Sequence, residues 1–592
     1  MMVDWRGRFT APTVEDLAWA PAAGSRLGVV TSESGRMDAW TWDLGTGERV
    51  IASTLGVGAE EVHVLPDGSG VVWWYDELGD ERGHWMVTHF DGGEPRPLLP
   101  DVPEGWMMGL SLVPGAIALG LSTDDGYSVH LARGGEPARE LYRSEHPAGL
   151  GQEYPQGGGG LSQDGALVCI RHAERGDILH QALRVLDART GDPVGEQSDE
   201  GMFMAPSAWS PRAGDQRLAF VQERAGIERP AIWNLATGDR TDLELADREG
   251  PVVALGWTPD ASALLLLHQS TGRQQVLRLD LASLTTETVV DVAGTITRAA
   301  FRPDGDLWLR MASSVDPPAI RDVAGKEVLG LGTAPPPPGR RFLPTAFPNA
   351  HGQTIHGFVV TPDGSGPFPT IVSVHGGPEW HHTDDYDPEV LAYADEGFAV
   401  VLVNYRGSTG YGRQHREAIK SNIGFPESED VVAALDHAID RGIADPARVF
   451  LEGWSWGGYL AMLNAGRNPD RWRAVAAGIP AGDYVAAHYE CAPPLRAWDL
   501  AMLGGSPMDV PALYRERNPL TYVDAVRAPM LVIAGENDSR CPLGSVMVYA
   551  HALRVRGKPV AVHLYPGGHH ANDVAERIRH IELIVEFFRR HL

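Results

Sequence analysis

The feature that most constrains this chain is a weak repeat across its first 330 or so residues. Apolar runs ending in a turn of proline, aspartate or glycine recur throughout, as in Leu17-Ala18-Trp19-Ala20-Pro21, Ala208-Trp209-Ser210-Pro211 and Ala300-Phe301-Arg302-Pro303. Taking Pro21, Pro66, Pro114, Gln163, Pro211, Pro259 and Pro303 as equivalent points, the steps are 45, 48, 49, 48, 48 and 44 residues. Several units also carry a strand that runs into a similar turn: Trp42-Asp43-Leu44-Gly45-Thr46-Gly47, Leu186-Asp187-Ala188-Arg189-Thr190-Gly191 and Trp233-Asn234-Leu235-Ala236-Thr237-Gly238. Each unit has room for about four short strands. One small sheet cannot bury both of its faces, so units of this period stack in a ring. The expected architecture is an N-terminal seven-bladed β-propeller, a pair of β-sandwiches being the competing arrangement. The glycine run Gly157-Gly158-Gly159-Gly160 reads as a blade-entry loop, since no helix follows it to make a phosphate cradle.

The repeat stops at Pro335-Pro336-Pro337-Pro338, four residues that cannot donate to a β-ladder and that favour a stiff, extended spacer. The domain boundary is expected here, giving a propeller with a short N-terminal extension over 1–335 and a second domain over 336–592. A chain of 592 residues is too long for a single core in any case. Beyond the spacer, short apolar runs alternate with helical stretches, the pattern of a largely parallel α/β sheet. Strands are expected at 354–360, 370–374, 399–404, 449–451, 474–477, 530–534 and 561–565, and helices at 388–396, 429–441, 458–468, 543–556 and 574–591.

One of those strands runs into Gly453-Trp454-Ser455-Trp456-Gly457, a G-x-S-x-G turn followed by a helix. Between a strand and a helix this is the signature of a nucleophile elbow, in which small residues allow a sharp turn that exposes the serine hydroxyl. A free hydroxyl is a poor nucleophile near neutral pH and needs a base. In α/β-hydrolases the partners follow in the order Ser, Asp, His. The loop after 530–534 offers Asp538, and the loop after the last strand offers His569 and His570. His569 is favoured as the base, because the preceding glycine lets the loop approach Ser455; His570 stays open as the alternative. The developing oxyanion needs two N–H donors. The turn His375-Gly376-Gly377-Pro378 ends the strand where one donor is expected, so the pair assigned is the Gly377 and Trp456 N–H groups.

Taken together these residues resemble the prolyl oligopeptidase family of serine peptidases, whose members join a seven-bladed propeller to an α/β-hydrolase domain. The resemblance rests on His375-Gly376-Gly377-Pro378, Asn404-Tyr405-Arg406-Gly407-Ser408-Thr409-Gly410-Tyr411-Gly412, the elbow, and the Asp538 and Gly568-His569 loops. The long Asn-Tyr-Arg-Gly string points to the acylaminoacyl-peptidase and bacterial aminopeptidase branches. The resemblance implies a substrate-binding role for Arg540, through a main-chain carbonyl, and for Tyr405. One departure concerns the histidine loop: many relatives have a Pro-Asp-x-Gly-His spacing, whereas Tyr565-Pro566-Gly567-Gly568-His569-His570 is one residue shorter or moves the base to His570.

The expected activity is hydrolysis of short peptides through a Ser-His-Asp triad and an acyl-enzyme, under a propeller that excludes folded proteins. Asp483 and Glu490 lie in a segment with Tyr484, Tyr489, Pro493, Pro494 and Trp498, suited to an apolar pocket with an anchor for a free amino group. An esterase or amidase for small non-peptide compounds would use the same site, and a propeller scaffold carrying a dead hydrolase is a third reading. A net charge of −28 disfavours nucleic acid and anionic membranes as partners. No apolar stretch is long enough to span a bilayer, the N-terminus lacks a signal-peptide core, and three widely spaced cysteines offer no disulfide framework, so a cytoplasmic location is expected. No cofactor and no metal is assigned: the loop Trp380-His381-His382-Thr383-Asp384-Asp385 has metal-capable groups but reads as a solvated loop near the substrate entrance. A homo-oligomer is compatible with the sequence, which does not fix the oligomeric state.

Overall fold

The computed structural model describes residues 4–151 and 159–592; part of the glycine run at 157–160 lies outside them. Among the described residues the first 330 positions form β-sheets in consecutive sets of four strands. Five sets are separate four-stranded sheets, and two are joined edge to edge through Arg82–His89 and Gly105–Val113 into an eight-stranded one. Within each set neighbours in sequence pair antiparallel, as short turns dictate. The turns that punctuate the repeat have a direct cause. The Asp43, Asp187 and Asn234 side chains accept the N–H two residues on, from Gly45, Arg189 and Ala236, and so cap the chain reversal.

Consecutive sheets are tied at the spacing of the repeat. Trp209 Nε1 donates to Gly160 O at 3.0 Å and Trp257 Nε1 to Ala208 O at 2.9 Å, each bond spanning 49 residues. The last sheet meets the first: Arg310 Nε donates to Val14 O at 2.7 Å, and Leu17, Leu27 and Trp42 share a buried cluster with Trp308, Ile320 and Leu329. Two details differ from the pattern expected of the repeat, in which each unit opens with the apolar strand and its turn, Leu161-Ser162-Gln163 among them, and several close with the Trp/Leu-Asp turn. The recurring Trp/Leu-Asp turns follow the third strand of a set, not the fourth, and the fourth set opens with Ala148–Gly149 while Leu161 makes only an isolated bridge.

The second half is an eight-stranded sheet. Its strands, in chain order, are β1 Leu343–Pro348, β2 Thr354–Val360, β3 Phe368–Val374, β4 Ala399–Asn404, β5 Ala444–Trp454, β6 Ala474–Gly478, β7 Met530–Gly535 and β8 Val560–Tyr565. They lie in the order 1-2-4-3-5-6-7-8, parallel from β4 onward, with β1 and β2 antiparallel at one edge. Helices cover both faces, so the central strands are apolar on both sides: Leu451 faces one buried cluster and Phe450 the other. Among the described residues no helix is long and apolar enough to cross a membrane.

The N-terminal extension does not join the first sheet. Trp5 and Phe9 join the buried cluster on one face of the sheet, against the helices Pro388–Asp395 and Val574–Arg589, and the Arg8 guanidinium is buried against Asp395, with Nη2 to Oδ2 at 2.8 Å. Arg8 Nη1 also donates to Pro337 O at 3.0 Å and Pro338 O at 3.1 Å, so the proline spacer is pinned where the two halves meet.

Candidate active site

The site forms at the carboxyl ends of the central strands, where open α/β sheets place their ligands. Strand β5 ends at Trp454, and Ser455 caps the helix Trp456–Arg467 with φ 57° and ψ −118°, a left-handed conformation that a residue with a side chain adopts only when its surroundings enforce it. The surroundings are the flanking glycines. A Cβ on Gly457 would sit 1.9 Å from Val374 O, and one on Gly453 would sit 2.5 Å from the Gly457 carbonyl. No other residue fits at either position without moving β3 or the elbow.

Two loops bring the remaining groups. After β7, the Asp538 carboxylate accepts the Arg540 and Cys541 N–H groups, each at 2.8 Å, which fixes its orientation. After β8, Tyr565 donates its hydroxyl to Gly568 O at 2.7 Å and holds the next residue in place. His569 Nε2 lies 2.9 Å from Ser455 Oγ, and its Nδ1 lies 3.0 and 2.9 Å from the Asp538 oxygens. With Nδ1–H donating to the carboxylate, Nε2 is left to accept the serine proton. His570, the alternative, is exposed and stands edge-on to the His569 ring, with no hydrogen bond to Ser455 or Asp538 among the described residues.

The turn after β3 stands against the nucleophile: a Cβ on Gly376 would lie 3.3 Å from Ser455 Cβ and 3.9 Å from its Oγ. The Trp456 N–H is the first of the elbow helix, in the turn whose N–H groups lack intrahelical partners and face incoming negative charge. Tyr405 is fully buried behind this turn. Its hydroxyl donates to His375 O at 2.9 Å and its ring stacks on the His375 imidazole at 4.1 Å. The expectation that Tyr405 meets substrate is therefore replaced by a scaffolding position, because all of its surface is spent on holding the His-Gly-Gly turn.

Arg540 faces the first half of the chain and pairs with Glu81. Asp483 caps the helix Tyr484–Glu490 and accepts Asn518 Nδ2 at 2.7 Å, while Glu490 is exposed with its carboxylate against Gly544. Neither lines the large cavity between the two halves, whereas Pro494 and Trp498 of the same segment do. That cavity has a volume of about 680 Å³ and reaches the turn through Glu379 and Trp380. Its polar wall, unseen in the sequence, centres on Arg416, whose Nη2 donates to Glu223 Oε2 at 2.8 Å and to Glu417 Oε1 at 3.0 Å. Burial, with the nearby Glu223 charge, raises the Glu228 carboxyl above its usual range.

The loop expected to be solvated is not. His381, His382 and Asp384 are buried, with His381 Nδ1 at 2.8 Å from Thr409 Oγ1 and Asp384 accepting the Ser314 hydroxyl at 2.6 Å. Burial pushes the two imidazoles down to about 4 and about 3. Only Trp380 keeps a large exposed face. A second surprise is Cys541, whose thiol lies beside the Asp538 and His569 side chains. Burial raises it well above the usual thiol range, so it remains a protonated neighbour.

The profile of the prolyl oligopeptidase family matches residues 384–592. That match takes in 209 of the chain's 592 residues, and over them the chain is similar to the prolyl oligopeptidase family. Over 249 residues it is 29% identical to the "Uncharacterized peptidase YuxL" of Bacillus subtilis (strain 168), an alignment covering 41% of this chain and 38% of that protein. Over 300 residues the chain is 29% identical to the acylamino-acid-releasing enzyme of Homo sapiens, covering 47% of this chain and 37% of that protein. The aligned region thus spans less than two fifths of either relative. Among solved structures, a puromycin hydrolase superposes with a TM-score of 0.79 at 20% identity over 99% of this chain and 96% of that one. The Pyrococcus horikoshii acylaminoacyl peptidase gives 0.71 at 16% identity over 100% and 98%. These superpositions extend the likeness of fold to the N-terminal sheets, so the whole chain shares the fold of these structures.

Proposed function

We propose that the protein is a serine peptidase of short peptides, with a seven-bladed propeller over 1–335 and the hydrolase domain over 336–592. The observation that carries this reading is the unbroken line of bonding distances from Ser455 Oγ through His569 to Asp538 at the carboxyl edge of the sheet. His569 Nε2 takes the serine proton as Oγ attacks the scissile carbonyl carbon. The oxyanion that forms accepts from the Gly377 and Trp456 N–H groups. His569 then returns the proton to the leaving amine, and water, activated by the same imidazole, releases the acyl group from Ser455.

The seven-blade reading is supported by the consecutive sets of four strands and by the contact of the last sheet with the first. A cavity of this size falls within the usual range for small ligands and is shut in by the propeller, which favours short peptides over folded proteins. The relatives named acylamino-acid-releasing enzyme agree with a peptide substrate. The free state of Cys169, Cys491 and Cys541 fits a reducing, cytoplasmic setting.

The test compares turnover of aminoacyl, blocked aminoacyl and simple ester chromogenic substrates by the wild type and Ser455→Ala, beside digestion of a peptide library and of an intact folded protein. Cleavage of short peptides, lost in the variant, is expected. Turnover of esters alone would favour the esterase reading, and failure of a fluorophosphonate to label Ser455 would favour a catalytically dead scaffold.

A further inference from the structure

Away from the serine, on the far side of the elbow, the last strand and the last helix bring together three groups that the peptidase chemistry does not use. His563 lies on β8; Glu576 and His580 lie one turn apart on the helix Val574–Arg589, so their side chains share a face. His563 Nε2 is 2.7 Å from Glu576 Oε1, and His580 Nε2 is 3.0 Å from the same oxygen. The second contact lacks hydrogen-bond geometry: His580 is 4% exposed, and its Nε2 is a buried nitrogen with no hydrogen-bond partner. Both Nε2 atoms thus meet the same carboxylate oxygen, with ring centroids 5.8 Å apart and planes at 78°.

We propose that His563, Glu576 and His580 bind a divalent transition-metal ion of the zinc type, clamping the C-terminal helix to the sheet. Two imidazole nitrogens and a carboxylate oxygen are a donor set that zinc favours, and three protein ligands leave a fourth position for water. Donors at about 2.0–2.1 Å from a tetrahedral ion stand about 3.3 Å from one another, so the 2.7 and 3.0 Å separations need to open by roughly half an ångström or less, and all three ligand atoms already lie within 4.8 Å of one another. The half-exposed His563 and Glu576 give the ion a route from solvent to the buried His580 nitrogen. The net charge of −28 favours a cation. A bound ion would also give the His580 nitrogen a partner, and its effect would reach the site. The His580 ring packs on Trp454, which precedes Ser455, and on Tyr565, whose hydroxyl holds the Gly568 carbonyl next to His569.

The test uses the untagged full-length chain, freed of metal by a chelator, titrated with Zn2+ alone in a calorimeter and with Co2+ in an absorption spectrometer. One equivalent of Zn2+ should bind and raise the melting temperature, and Co2+ should give visible bands of nitrogen and oxygen ligation. His563→Ala, a half-exposed position that the fold tolerates, and Glu576→Gln should each weaken Zn2+ binding by at least about tenfold. Cys541→Ser should leave the binding unchanged. Absence of binding at tens of micromolar, full binding by His563→Ala, or a sulfur-to-cobalt charge-transfer band that disappears in Cys541→Ser would each overturn the proposal; the last would put the ion at the triad instead.

Discussion

Arg540 and Glu81 join the two halves of the molecule across the rim of the active site, with Nη2 to Oε1 at 2.5 Å and Nε to Oε2 at 2.8 Å. Glu81 sits in a turn that Asp76 builds by accepting the Leu78, Gly79 and Glu81 N–H groups at 3.1, 2.7 and 2.6 Å. The same turn meets both catalytic loops. Asn537 Nδ2 donates to Leu78 O at 3.0 Å, and a Cβ on Gly568 would fall 1.4 Å from Gly79 O. The propeller therefore helps to set the positions of Asp538 and His569 as well as covering them.

Removing either partner of the pair should cost activity through the loops it braces. The ion pair is partly exposed, so its worth lies at the lower end for charged hydrogen bonds, about 1.5 kcal/mol, equivalent to about tenfold in kcat/KM. Glu81→Gln and Arg540→Ala are each expected to lower kcat/KM by about that factor. If Arg540 acts only through Glu81, the double variant should be no worse than Arg540→Ala; a further loss in Arg540→Ala alone would reveal a direct substrate contact.

The two adjacent histidines separate cleanly by substitution. His569→Ala and Ser455→Ala should each lower kcat by at least about 10⁴-fold, since each removes a member of a unit that works only as a whole. His570→Ala should change it by less than about tenfold. Peptidase rates and fluorophosphonate labelling of Ser455 measured on the three variants check the assignment, and a His570→Ala variant as inactive as His569→Ala would reverse it.

Much of this was legible because the signals are local. The elbow, the Asp538 loop and the histidine loop are each a few residues following an apolar strand, and strands buried on both faces of a parallel sheet read as continuous apolar runs. What escaped notice has physical reasons. Strand β1 holds Pro344 and Pro348, which look like breakers but are tolerated on an edge strand. The helices Pro493–Leu503 and Pro511–Arg517 begin with proline at the first helical position, where its missing N–H costs nothing. The motif around Tyr405 announced the residue but not the direction of its side chain. Contacts between the halves, such as Glu81 with Arg540 or Gly79 with Gly568, leave no periodic trace at all.

Two buried carboxyl groups near the elbow should make stability fall as the pH rises from about 4 to about 8. Burial pushes Glu427 up to about 8, and burial with the nearby Glu389 charge pushes Glu452 up to about 8; both are almost wholly inaccessible. An unfolded glutamate titrates near 4.3. A folded-state value above the unfolded one means that the fold favours the protonated acid. The stabilisation is then complete below about pH 4 and is lost as the pH rises through about 8. Melting temperatures should therefore decline between about pH 4 and pH 8 and level off above that, and Glu427→Gln or Glu452→Gln, which keep the shape without the titration, should flatten that decline. A slope unchanged in both variants would place its origin elsewhere.

Arg8 should matter far more than a residue near a chain terminus ordinarily does. Its guanidinium and the Asp395 carboxylate are 1% and 2% exposed, and the same side chain donates to Pro337 O, Pro338 O and the Tyr386 hydroxyl at 2.9 Å. Arg8→Ala leaves a buried carboxylate without its strongest partner and releases two carbonyls of the spacer, a loss of about 3–5 kcal/mol for a broken buried pair. Arg340 Nε, 3.0 Å from Asp395 Oδ1, remains to offset part of it. Because the contact fastens the spacer and not the catalytic loops, the expected result is a lower unfolding midpoint in urea with kcat nearly unchanged at 25 °C. The double variant Arg8→Met with Asp395→Leu, which removes the charge pair together, should recover most of the stability. An Arg8→Ala variant with wild-type stability would mean that the extension is a passenger on the hydrolase domain, not a clamp on the junction.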